Sequence, residues 1–114
     1  MTTIYGIKNC DTMKKAMKWL DDHGVDYQFH DYKKAGLNET QLKAWVQQLG
    51  WEQLVNSRGA TWRKLPESAR ENLDTARAIT LMQANLSLIK RPLLEHNNIL
   101  HVGFNPAEYE HLFQ

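Results

Sequence analysis

The chain opens on a strand-like run, Thr2 to Ile7, rich in branched and aromatic side chains. Within two residues it reaches Asn9-Cys10-Asp11-Thr12, a cluster of residues that can begin a helix. Met13, Ala16, Met17 and Leu20 follow at helical spacing, and Gly24 is placed to stop the helix after about His23. Val25 to Tyr32 then reads as a second strand. A strand–helix–strand opening of this length favours a parallel pair with the helix packed against it.

The far end of the chain adds antiparallel strands. Pro92 and Leu93-Leu94 lead into Asn97-Asn98, which suits a two-residue turn because asparagine tolerates positive φ, and Ile99 to Val102 returns. Asn105 caps a closing helix with Pro106 at its first position. Glu108 completes a capping box, and Tyr109, Leu112 and Phe113 form the apolar face. Between these ends the chain reads as mostly helical. Asn38 and Gln41 form a capping pattern ahead of Leu42, Trp45, Val46 and Leu49, with Gly50 as the stop. Pro66 suits a first turn, and Asp74 a cap, for two shorter helices before Ala84. The expected fold is therefore α/β: a thioredoxin-like (glutaredoxin-like) mixed sheet flanked by helices, with a helical insertion in the middle. We expect one domain over 1–114, with the thioredoxin-like core from about 1–34 and 86–114 and the insertion at about 38–84.

Composition excludes several classes. The 14 basic and 13 acidic residues nearly balance, which argues against a direct nucleic-acid or anionic-membrane binder. No run is long enough to span a bilayer, and the N-terminus lacks a basic segment followed by an apolar stretch. One cysteine cannot form an internal disulfide. A cytoplasmic, reducing setting and a monomer are expected. The five histidines show no ligand spacing, so no metal is expected. The four tryptophans lack interleaved basic residues and read as packing residues.

Cys10 stands where a strand gives way to a helix. Free N–H groups and the positive end of the helix dipole there stabilise a thiolate, the nucleophilic form. Lys8, Lys14 and Lys15 would add to that, and Asp11 opposes it. A lone free cysteine is commonly just a small buried apolar residue. The polar neighbours Asn9, Asp11 and Thr12 favour a reactive thiol instead.

Tyr5-Gly6-Ile7-Lys8-Asn9-Cys10-Asp11-Thr12, Asn56-Ser57-Arg58-Gly59, Ile89-Lys90-Arg91-Pro92 and Val102-Gly103-Phe104-Asn105 occur in this order along the chain. Together they resemble the ArsC/Spx family of thioredoxin-fold proteins, and more narrowly its small bacterial YffB-like branch. The resemblance implies that Cys10 is the active thiol, that Arg91 faces it, and that Pro92 is a cis-proline beside it. Lys8, Asn9, Asp11, Thr12, Arg58 and Asn105 are then expected around the substrate. Arsenate reductases of the family hold the oxyanion with three arginines. Arg91 matches one, whereas Asn56 and Asn105 stand at the other two places, with Arg58 or Arg63 as substitutes. Two lost charge-assisted contacts cost about 1.5–3 kcal/mol each, so efficient arsenate reduction is not expected.

Many Spx regulators carry a Cys-x-x-Cys switch, and here Met13 occupies the fourth position. Disulfide chemistry at Cys10 must therefore borrow a thiol. The expectation is a glutathione-dependent thiol oxidoreductase, arsenate reductase-like, with no bound cofactor. Glutathione or a glutaredoxin-type donor would supply the resolving thiol. The alternative, from the Spx resemblance, is a regulatory module that docks on RNA polymerase or another protein without turnover.

Overall fold

The computed structural model describes residues 1–114. The chain runs β1 (Thr2–Gly6), α1 (Asp11–Asp22), β2 (Gln28–Asp31), α2 (Tyr32–Ala35), α3 (Glu39–Leu49), α4 (Trp51–Leu54), α5 (Ala60–Lys64), α6 (Glu67–Arg70), α7 (Thr75–Ala84), a 3₁₀ turn at Leu86–Leu88, β3 (Leu93–His96), β4 (Ile99–Val102) and α8 (Pro106–Leu112). It divides into two compact units, residues 1–35 with 91–114 and residues 36–90.

The first unit holds a four-stranded sheet in the order β2-β1-β3-β4. The β1–β2 pair is parallel, while β1–β3 and β3–β4 are antiparallel. This is the mixed, helix-flanked thioredoxin-like sheet that the element order implies. Ile4 and Leu94 are register partners, and both are fully buried with Met13, Ala16 and Leu20 of α1 and Tyr109 of α8. Period-two alternation in the strands and helical spacing in α1 and α8 thus meet in one core. Asn97 and Asn98 have φ of 51° and 66°, as the turn between β3 and β4 requires.

Several local readings are corrected. The second strand is only Gln28–Asp31, because Val25 N still bonds to Leu20 O in the last turn of α1. Tyr32 leaves the strand to begin α2, where the Asp31 carboxylate accepts from Lys33 N at 3.0 Å and Lys34 N at 3.3 Å. Helix α1 is capped by Cys10 itself, not by a neighbouring polar side chain. Asn105 caps α8 by accepting from Ala107 N and Glu108 N. Glu108 does not close the expected box: its carboxylate lies 3.1 Å from His101 Nε2. Pro66 stands one position before α6 rather than in its first turn.

The second unit is helical. Asn38 caps α3 through Thr40 N, Gly50 ends it at φ 88°, and Asp74 caps α7 through Arg77 N. The short helices α4 and α5 have too few residues to show a period. Leu86–Lys90, which the sequence reading places with the sheet, cluster here. Asn56 N bonds Leu88 O, Lys90 N bonds Leu54 O, and Val55 pairs with Ile89.

Candidate active site

Sheet register assembles the site. Gly6 at the end of β1 lies opposite Asp31 at the end of β2, and Tyr5 opposite Leu93 at the start of β3. The segments that follow β1 and β2 and precede β3 therefore meet at one end of the sheet. They carry Cys10, Tyr32, Arg91 and Pro92. The Arg91–Pro92 bond is cis, Pro92 is buried, and its carbonyl accepts from Gly103 N at 2.8 Å.

Cys10 is half-buried and extended in backbone (φ −118°, ψ 128°), with its carbonyl accepting from Lys14 N. The sulfur stands over the first turn of α1, whose N–H groups have no partner within the helix. Partial burial pushes the thiol up. That is outweighed by the N–H groups of Met13 and Thr12 and by a hydrogen bond and charge from Arg91, so the thiol lies below its ordinary value. The lysines expected to help are not among these groups: Lys8, Lys14 and Lys15 all extend into solvent. Compact charges in water act weakly at a distance, whereas a half-buried guanidinium in contact does not.

Tyr32 is the residue that sequence reasoning missed. It is 0% exposed, and its hydroxyl is hydrogen-bonded to the Arg91 side chain. Burial pushes the phenol up to about 12, against the opposing pull of Arg91. The ring is therefore neutral at pH 7, and its oxygen accepts from a guanidinium that stays charged. Asp31, a capping residue just before Tyr32-Lys33-Lys34, signals a helical turn there, but the proximity to Arg91 comes only from the register.

Lys8 and Asn9, together with Ile7, Asp31, Lys33 and Lys34, line an open cleft of about 500 Å³ beside the β1–α1 connection. Asp11 and Thr12 are exposed on the first turn of α1, Thr12 turning its N–H toward the sulfur. The Asn105 oxygen is spent on capping α8. Arg58 belongs to the second unit, where it is exposed. Its N–H donates to Asn56 Oδ1 at 3.2 Å, and its carbonyl accepts from Arg63 Nη1 at 2.9 Å. Gly59 gives the Asn56 side chain room in that turn, since a Cβ there would lie 2.8 Å from Asn56 Nδ2 and force the amide to shift. No group of three or more metal-ligating side chains exists, and no helix is long and apolar enough to cross a membrane.

A model of the ArsC family matches residues 5–112. Among solved structures, one titled YFFB protein is 47% identical and superposes at a TM-score of 0.96 over 100% of both chains. An arsenate reductase (ArsC) related protein from Brucella melitensis is 57% identical, with a TM-score of 0.80 over 99% of this chain and 94% of that one. The global transcriptional regulator Spx of Streptococcus mutans is 29% identical over 95% of this chain and 80% of its own length.

Proposed function

The chain belongs to the ArsC family, and we propose that it is a glutathione-dependent thiol oxidoreductase of the cytoplasm, with Cys10 as nucleophile and Arg91 as anion and thiolate partner. The observation that carries this reading is the pairing of the chain's one thiol with helix N–H groups and a guanidinium that together lower its pKa. That combination raises the thiolate fraction near neutral pH.

In the proposed cycle the Cys10 thiolate attacks the glutathionyl sulfur of a mixed disulfide R–S–S–G. A Cys10–S–S–G bond forms, the S–S bond of R–S–S–G breaks, and the departing thiolate R–S⁻ takes a proton from water. A second glutathione thiolate then attacks the glutathionyl sulfur, giving glutathione disulfide and restoring the Cys10 thiolate. Each cycle turns R–S–S–G and one glutathione into R–SH and glutathione disulfide, so no second protein cysteine is needed. A glutaredoxin-type thiol could take the second role. The cleft lined by Lys8, Lys33 and Lys34 offers three ammonium groups to the carboxylates of a tripeptide thiol. Arsenate is a poor substrate in this reading. Asn56 and Asn105 stand where the family's reductases carry arginines, and both amide oxygens are held in local turns.

Mass spectrometry of the reduced chain with glutathione disulfide tests the reading. One glutathionyl group should add, at Cys10, faster than to the urea-unfolded chain, and excess glutathione should remove it. A coupled assay with glutathione reductase should show turnover that Cys10→Ser abolishes. An adduct rate equal to that of the unfolded chain, with no turnover, would sink the proposal.

The relation to Spx favours a second reading, a protein-binding regulator without turnover. A pull-down from bacterial extract distinguishes the two. A stoichiometric partner retained by Cys10→Ser, with no reductase activity, supports the regulator.

A further inference from the structure

We infer that Tyr32 is a positioning residue, whose buried hydroxyl holds the Arg91 guanidinium against the Cys10 sulfur. The inference rests on the reading of Cys10 as the working thiol, but its test requires no glutathione.

The placement is built into the fold in three steps. Asp31 closes β2 and caps α2, which fixes the backbone of Tyr32 at the first residue of that helix. The register Gly6↔Asp31 and Tyr5↔Leu93 puts that residue and Arg91 on either side of the end of β1. The ring is 0% exposed, and its oxygen is hydrogen-bonded to the guanidinium. Arg91 in turn hydrogen-bonds the sulfur. The three groups form a chain, phenol to guanidinium to thiolate.

The chemistry explains why a tyrosine suits this place. Arginine has five N–H donors in a planar fork and loses much rotamer freedom when it is fixed. A neutral phenol accepts one of those donors without competing for the positive charge. The fork is then set before the thiolate forms, and no reorganisation is needed when charge appears on sulfur. A carboxylate in the same place would neutralise the guanidinium and cancel its effect on Cys10. The charged and titratable groups acting on Tyr32 are Arg91, Cys10 and Asp31, and all belong to this end of the sheet.

Cys10 is the chain's single cysteine, so its alkylation by iodoacetamide across pH reports one thiol. Tyr32→Phe keeps the ring and removes only the hydroxyl. The alkylation midpoint should rise by about half a pH unit, a threefold loss of thiolate well below the midpoint. Arg91→Gln should raise it further, and Tyr32→Phe should then add nothing in the Arg91→Gln background. An unchanged midpoint in a folded Tyr32→Phe chain, or a rise that persists without Arg91, would overturn the inference. A tyrosine that merely fills the core would lower the melting temperature and leave the midpoint alone. An independent arm uses the unmutated chain, with the Tyr32 ¹³Cζ resonance followed across pH. It should inflect at the Cys10 midpoint, and lose that inflection in Cys10→Ser and in Arg91→Gln. Absence of the inflection in the unmutated chain overturns the inference even if Tyr32→Phe does not fold. A chain that shows the inflection but fails to turn over glutathione would retain Tyr32 in this role and lose the oxidoreductase reading.

Discussion

Gly6 is the position where a single methyl group tests the account of how α1 is seated. A Cβ added there would lie 2.7 Å from Met13 Cε and closer still to Sδ, whereas ordinary contact begins at 3.4 Å. The thioether must therefore retreat by about an ångström. Met13 is fully buried with Ile4, Ala16, Leu20, Leu94 and Tyr109, so the retreat has to be found inside a packed core. Overpacking of this kind costs about 1–3 kcal/mol, softened by the three rotatable bonds of methionine. Alanine also loses less backbone entropy than glycine on entering a strand, which returns about 0.5–1 kcal/mol. Gly6→Ala should thus destabilise by up to about 2.5 kcal/mol in urea unfolding, with an unchanged m-value. Met13→Ala alone should cost about 2–5 kcal/mol through the cavity that it leaves. The double variant should cost less than the two single ones together, by about 1–2 kcal/mol, because the new methyl enters the vacated space. Additivity within about 0.5 kcal/mol would refute the reasoning, as would a Gly6→Ala chain more stable than the unmutated one.

Asn105→Ala removes the acceptor for two N–H groups of α8 and should cost about 1 kcal/mol in the same urea assay. Cys10 also makes stability depend on pH. Its folded pKa is lowered, so its contribution is fully present above the ordinary value of 9.0 and lost as pH falls through the folded value. The stability difference between the unmutated chain and Cys10→Ser should therefore grow as pH rises from 6 toward 9.0, and urea midpoints at each pH measure it. Replacing two of the three cleft lysines, Lys33→Glu with Lys34→Glu, should raise the KM for glutathione about tenfold at low salt and leave kcat unchanged. The effect should shrink as ionic strength rises.

What the sequence made legible was whatever a few adjacent residues decide. The positive-φ pair Asn97-Asn98, the cap at Asn105 and the stop at Gly50 are local chemistry, and each is found in its place. The placement of Cys10 at the first turn of a helix was legible for the same reason. Arg91 and Pro92 came from resemblance to a family, since nothing in Ile89-Lys90-Arg91-Pro92 points at residue 10. Tyr32 was hidden on two counts. The strand reading ran on from Val25 through Tyr32 and absorbed it, and its partner Arg91 is 59 positions away and is brought near only by the register across β1. The lysines misled in the opposite direction. Nearness in sequence suggested that they act on Cys10, but their side chains extend into water, where solvation and mobility leave little field at the sulfur.

The same geometry explains why a second thiol is not a simple addition to this chain. Three residues after a helix-capping cysteine, a side chain returns to the same end of the helix, which is where a Cys-x-x-Cys partner would stand. Here that position is Met13, and it is a core residue rather than a surface one, with 0% exposure and Gly6 directly beneath it. Shortening it to cysteine would vacate the space that Gly6 leaves open and loosen the contact seating α1 on β1. Gaining an internal disulfide therefore demands a compensating change at Gly6, where an added methyl could fill the gap. In the proposed chemistry Cys10 works as a lone thiol beside the packed pair Met13 and Gly6, and Arg91, steadied by Tyr32, supplies the charge that such chemistry needs.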